Sequence, residues 1–215
     1  MQLEAVIPIF PLGLVLLPEM SLPLHIFEER YKLMTNMCIE QQKAFGIVYF
    51  SGKQFQTKGC TARIEKILKR YPDGRMDIIT RGVNRFSIKE LYDEKPYLQA
   101  EVEFYDDTPE KDPDEETIQR LTEQSFQLLR QVNTTTEEYN EERLIAQRNY
   151  KTVSFMMAAC EGFSFEEKQR FLEMTSTSKR LSAALEALEK LLERIQITRK
   201  IERIIGGNGN LPKSL

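Results

Sequence analysis

The chain's single histidine, His25, stands in the run PLHIFEERY at 23–31, beside Glu28, Glu29, Arg30 and Tyr31. An imidazole among carboxylates is the raw material of proton transfer, of an activated nucleophile or of a metal site. Each of these needs further groups. A zinc ion needs three or four converging ligands, and no CxxC or HxxxH spacing is present to supply them. A nucleophile for His25 would have to be Cys38, Cys60, Cys160 or a serine, and no GxSxG turn presents one. A GxxxxGK[ST] loop is likewise absent, and Gly206-Gly207-Asn208-Gly209 follows a helical pattern instead of leaving a strand, the wrong context for cradling phosphate. No catalytic residue, metal ligand or cofactor is therefore assigned, and the chain is read as a non-enzyme. His25 is expected to end a strand and Phe27 to plug the core as a helix begins. Glu28 and Glu29 then complement the positive end of that helix.

Two other groups of residues have chemistry suited to binding. Lys66, Lys69, Arg70, Arg75, Arg81 and Arg85 outnumber Glu65, Asp73 and Asp77 over one segment. Of these, Lys69, Arg70, Arg75, Arg81 and Arg85 are candidate contacts for nucleic acid or a partner. The segment lacks the interleaved aromatics that single strands stack on, and strand alternation divides its charges between two faces, so nucleic acid is the lesser reading. Met20, Leu22, Met34 and Met37 are candidate peptide contacts, since methionine repacks around varied partners, although core burial is the ordinary fate of each.

These residues sit on elements that the pattern outlines. Up to about residue 105, short apolar blocks such as VIPIF and AFGIVYF are separated by glycine and proline, as in strands and turns. In YLQAEVEF, Leu98, Ala100, Val102 and Phe104 fall on one face, and Gln99, Glu101 and Glu103 on the other. Pro72-Asp73-Gly74 joins CTARIEKILKRY to RMDIITRGVNRFSI as a hairpin, with a bulge expected at Gly82. The spacing of Phe27, Tyr31, Met34 and Cys38 predicts one helix over 28–42.

After residue 106 an acidic, proline-broken linker leads into helices expected at 113–132, 137–160 with a break near 150, 165–174 and 178–205. Asp112 and Pro113 start the first of these, and Ser164 with Glu167 forms a capping box. Leu181, Leu185, Leu188, Leu192 and Ile195 form an apolar stripe on the last helix. It packs within the chain or, in a self-associating scaffold, between chains. Residues 206–215 carry no stripe and are expected to be a disordered tail.

The net charge of −3 gives no field toward nucleic acid or anionic lipid. No apolar run approaches membrane-spanning length, and no targeting segment is visible at the N-terminus, so no membrane partner and a cytoplasmic location are expected. Three scattered cysteines argue against a disulfide framework.

The run IPIFPLGLVLLPEMSLPLHIFEERYKLM resembles the opening of the N-terminal, substrate-binding domain of the Lon protease family, in particular its stand-alone form. KGCTARIEKI with YPDGRMDIITRGVNRF, and then EEKQRFLEMTSTSKRLSAALEALEKLLE, are similar to the family's next strands and its helical end, so the resemblance covers residues 5 to 200. It implies an α+β fold, with a PUA-like β-rich lobe over 1–106 and an all-helical lobe over 107–205 ending in a long helix. In full-length relatives, separate ATPase and peptidase domains do the chemistry, and neither has a counterpart here. The implied function is a non-enzymatic protein- or peptide-binding module, an adaptor or chaperone-like factor for unfolded or exposed hydrophobic segments. Its implied partners are protein or peptide clients, with a protease or chaperone as a further candidate partner and the chain a monomer or weak homo-oligomer. An RNA-binding role through the basic hairpin, or a self-associating scaffold, is the alternative.

Overall fold

The computed structural model describes residues 4–109, 115–132 and 141–207. β1 (Glu4–Leu12), β3 (Phe45–Phe50), β4 (Phe55–Arg70), β5 (Met76–Tyr92) and β6 (Gln99–Tyr105) form a sheet that closes on itself, because β6 pairs with both β1 and β5. β2 (Ser21–Ile26) lies outside this ring on the first half of β5. The 17-residue β5 thus serves twice, holding β2 from Met76 to Arg81 and β6 from Arg85 to Tyr92.

The ring is filled by Ile9, Val48, Phe86, Ala100 and Val102. Ala100 and Val102 come from the inward face expected of YLQAEVEF, since alternate side chains of a strand point to opposite faces. Two glycines make room for the Phe86 ring. A Cβ on Gly46 or on Gly59 would lie 2.7 Å from Phe86 Cζ, and on Gly59 also 2.3 Å from the carbonyl oxygen of Ile47.

The register of β4 against β5 shifts by one residue between Cys60 and Ala62, opposite Gly82–Arg85, so the bulge falls where Gly82 suggested. The Leu17–Met20 loop packs onto the same point: Glu19 N–H donates to the Gly82 carbonyl, and Gly82 N–H donates to that of Met20.

α1 (Glu29–Gln41) crosses the sheet with Tyr31, Met34, Thr35 and Cys38 buried, and stops at Gln42, whose φ of 53° is left-handed. Phe27 does not join that stripe. It is 59% exposed, and Ile26, 1% exposed, takes the core position. The helix begins at Glu29, two residues past Phe27, and so does not turn Phe27 inward. The alternation of β2, with Leu22 and Ile26 inside, still governs and sends Phe27 out with His25.

α2 (Glu115–Val132), α4 (Tyr150–Ala158) and α6 (Thr177–Gly207) pack on one another, with α3 (Glu141–Ala146) and α5 (Phe165–Glu173) beside them. The helix expected over 137–160 is α3 and α4. Arg148 takes a left-handed φ of 53°, and the Asn149 side chain accepts from Thr152 N–H to start α4. The Ser164–Glu167 capping box is present in both directions. Leu181, Ala184 and Leu188 of α6 are fully buried within the chain. One apolar cluster contains Phe10, Met34 and Tyr49 from the sheet side and Phe126, Phe155 and Leu181 from the helices, so the two regions share a core. The expected Asp112–Pro113 helix start and the stretch 137–140 lie outside the described residues. So does the expected tail from 208 onward, while Gly206 and Gly207 close α6.

Candidate functional site

Among the described residues, three places that bring charged side chains together differ in what those charges meet. The first is the joint between sheet and helices. Asp107, just after β6, accepts from Arg85 Nη2 at 2.6 Å and from Arg180 Nη2 at 2.6 Å. Both guanidiniums have almost no exposed side-chain surface. Arg85 also donates to the carbonyl oxygens of Leu172 and Met174. Arg180 donates to the Met174 carbonyl and to Ser154 Oγ, and lies 3.8 Å from the Phe155 ring centroid. Burial alone would raise the Asp107 carboxyl. Hydrogen bonds from Arg180 and Thr177, with the charges of Arg180 and Arg85, outweigh it and bring the pKa down to about 2. A cleft of about 590 Å³ opens over this joint, lined by Arg85, Asp106, Lys151 and Thr175 among others. Lys151 and Asp106 form an ion pair on its wall.

The second place is the β4–β5 hairpin tip. His25 Nδ1 lies 2.6 Å from Asp77 Oδ1, and Tyr71 donates to Asp77 Oδ2 at 2.8 Å. The hydrogen bond with His25, and next that from Tyr71, lower the Asp77 carboxyl. Lys69 and Arg75 lie 4.4 and 5.0 Å from the Tyr71 ring, and the exposed Phe27 stacks 5.9 Å from His25. His25 is thus a surface residue held by a carboxylate. All three thiols are buried, and burial pushes Cys38 up to about 11 and Cys60 up to about 12, so neither is a thiolate near neutrality. Among the described residues, no group of three or more His, Cys, Asp or Glu side chains is placed to hold a metal ion.

The third place is a groove of about 600 Å³ between the C-terminal end of α1 and β4. Ile39, Ile64 and Ile67 form its apolar floor beside the buried Cys38, and Lys43, Arg63 and Lys66 stand at its rim. Glu65, the acid on this wall, is already held by Arg81 at 2.8 Å and by Arg63 at 3.7 Å.

The residues singled out in the sequence are distributed unevenly among these places. Arg85 is withdrawn from the basic surface. The bulge beside Gly82 breaks the strict alternation of β5, so that Arg85 and Phe86 are both buried, one in the joint and the other in the ring. Arg81 is committed to Glu65 and to the Glu19 carbonyl. Lys69, Arg70 and Arg75 do gather near the tip, with Arg70 donating to Asn36 and Arg75 paired to Asp73. Of the apolar candidates, Met34 is fully buried and Leu22 is 7% exposed, while Met20 and Met37 are partly buried against the core. These four present no common exposed surface. Sequence reasoning missed Asp107, Arg180 and the groove floor. The groove had one visible signal, the mismatch between a short AFGIVYF strand and the much longer CTARIEKILKRY segment beside it.

Residues 6–190 match the family described as the ATP-dependent protease La (LON) substrate-binding domain. The chain belongs to this family. Among curated relatives of this LON family, it is 26% identical over 220 residues to the Lon protease of Anaeromyxobacter dehalogenans and equally to Lon protease 2 of Myxococcus xanthus, with 96% of the chain covered in each case. It spans about a quarter of their length, 26% of each. Solved structures carry the same α+β fold. The Lon N-terminal domain protein from Xanthomonas campestris superposes with a TM-score of 0.65 at 22% identity, covering 85% of this chain and 98% of that one. The N-terminal domain of the Mycobacterium avium complex Lon protease gives 0.65 at 17% identity, covering 86% and 98%. No described helix is long and apolar enough to cross a membrane.

Proposed function

We propose that this LON substrate-binding domain is a non-enzymatic module that captures unfolded or exposed apolar segments of other proteins, acting as an adaptor or chaperone-like factor for a protease or chaperone. The observation that carries this reading is the α1–β4 groove. Its isoleucine floor and cationic rim are the kind of concave, mostly apolar surface that holds a chain without cutting it. The match to a substrate-binding family supports the same class of ligand. The charged joint favours it indirectly, since its buried charges pair with one another and are occupied in holding the fold.

The RNA-binding alternative loses support at two of its five cations. Arg85 is inside the protein and Arg81 is committed, although Lys69 and Arg75 still flank Tyr71 near the exposed Phe27. A scaffold through α6 would use the more exposed end of that helix, Ile197 and Ile201, since Leu181 and Leu188 of the leucine stripe are buried within the chain. The experiment is a titration of the protein with a reduced, carboxymethylated polypeptide and with the same polypeptide in its native form. Binding of the unfolded form, retained in high salt, is expected. Binding of neither form, together with steeply salt-dependent RNA binding, overturns the reading.

A further inference from the structure

We infer that the α1–β4 groove takes its occupant as an added β-strand on the open edge of β4, and that the preferred occupant is an extended segment of alternating apolar residues flanked by aspartate or glutamate. The inference rests on the client-binding reading above and adds the mode of binding and the chemistry of the client.

The edge comes from a mismatch in strand length. β3 accompanies β4 from Phe55 only as far as Ala62, whereas β5 runs beside it to Arg70. From Arg63 to Arg70, β4 therefore has a strand on one side alone, and among the described residues no other backbone hydrogen bond reaches its second side. Main-chain donors and acceptors along such an edge are a template for another extended chain.

Proteins commonly blunt an edge of this kind with lysines and bulges, and β4 carries both. Its register shifts between Ile64 and Lys66 and again between Ile67 and Lys69. Blunting alone does not explain the surroundings. α1 stands alongside as a wall and turns the edge into a groove, and Ile39, Ile64 and Ile67 line it with apolar surface that water covers poorly. Among the described residues, neither Lys43 nor Lys66 is ion-paired to a carboxylate, and the nearby Glu65 already belongs to Arg81 and Arg63. Unneutralised cations around an apolar floor repel a basic strand and attract an acid-flanked one, which turns a general hazard into a selective site. No aromatic ring lines the groove on which a nucleobase could stack, so polypeptide is favoured over a single-stranded nucleic acid.

The test uses the intact chain and a fluorescent synthetic peptide of alternating valine and threonine with paired glutamates at both ends. Three controls accompany it: the same peptide N-methylated at alternate amides, a lysine-flanked version, and oligothymidylate. The glutamate peptide is expected to bind and to slow amide hydrogen exchange at 63–70. N-methylation should abolish binding by removing strand pairing. Reversing the rim charges with Lys43→Glu and Lys66→Glu should weaken binding by about tenfold while the unliganded protein stays folded. Equal binding of the N-methylated or lysine-flanked peptide, protection away from 63–70, or oligothymidylate competing at these residues overturns the inference. If carboxymethylated polypeptide binds the unaltered protein without protecting 63–70, the added-strand mode fails and client binding stands. If no unfolded polypeptide binds at all, both fail.

Discussion

The joint between sheet and helices and the α1–β4 groove use similar cationic side chains to opposite ends. In the joint, Arg85 and Arg180 share Asp107, and their remaining N–H groups find carbonyls and a serine hydroxyl, so charge is buried only where it is hydrogen-bonded. In the groove, Lys43 and Lys66 stay in water beside an apolar floor. Charge that has been satisfied internally holds a fold together. Charge left unneutralised next to apolar surface is available to a ligand.

The contrast can be broken most sharply at Asp107. Replacing it with alanine leaves two buried guanidiniums without their shared carboxylate and is expected to cost roughly 3–5 kcal/mol, read as the shift of a urea unfolding curve. A loss near that of an ordinary surface residue would deny the joint its structural role. Acid probes the same place more gently. Because the folded pKa of Asp107 is depressed to about 2 from an ordinary 3.8, its contribution is fully present above about pH 4 and is lost as pH falls through 2. An Asp107→Asn variant should therefore lose less stability than the native protein between pH 4 and pH 2, measured by thermal melting across that range.

On the groove side the expected stability changes are smaller. Lys43→Glu with Lys66→Glu should move unfolding by less than about 0.5 kcal/mol, since neither lysine has a carboxylate partner to lose among the described residues. A larger loss would mean that these cations are structural and would erase the contrast. The smallest effect is expected at the tip, where His25→Gln removes an exposed pair to Asp77 and should shift the thermal midpoint by at most about 3 °C.

The sequence made the class and most elements legible because they depend on local chemistry. The Ser164–Glu167 box and the alternation of YLQAEVEF are both short-range signals, and each names its own conformation. Phe27 was misplaced because α1 begins at Glu29 and not at 28, a one-residue difference that leaves Phe27 on a strand face instead of a helical one. Arg85 was misplaced for a related reason. Gly82 announced a bulge, but the direction in which it would turn Arg85 depends on helices nearly ninety positions away, at Leu172 and Met174. Pairing over that distance leaves no local pattern. The groove was hidden too, because an open edge is a property of two strands compared, and Ile39 and Ile64 read as ordinary core positions when each is taken alone.

The double duty of β5 has a consequence for how the chain comes off the ribosome. Its second half and β1 both wait for β6, which pairs Glu4–Pro8 with Gln99–Glu103. The ring therefore stays open until the first hundred residues are available, and such distant pairings form slowly. Arg180 arrives later still, so a nascent chain can complete its barrel while Arg85 and Asp107 lack their third member. During that interval the half-made protein is itself an unfolded client of the kind it is proposed to hold.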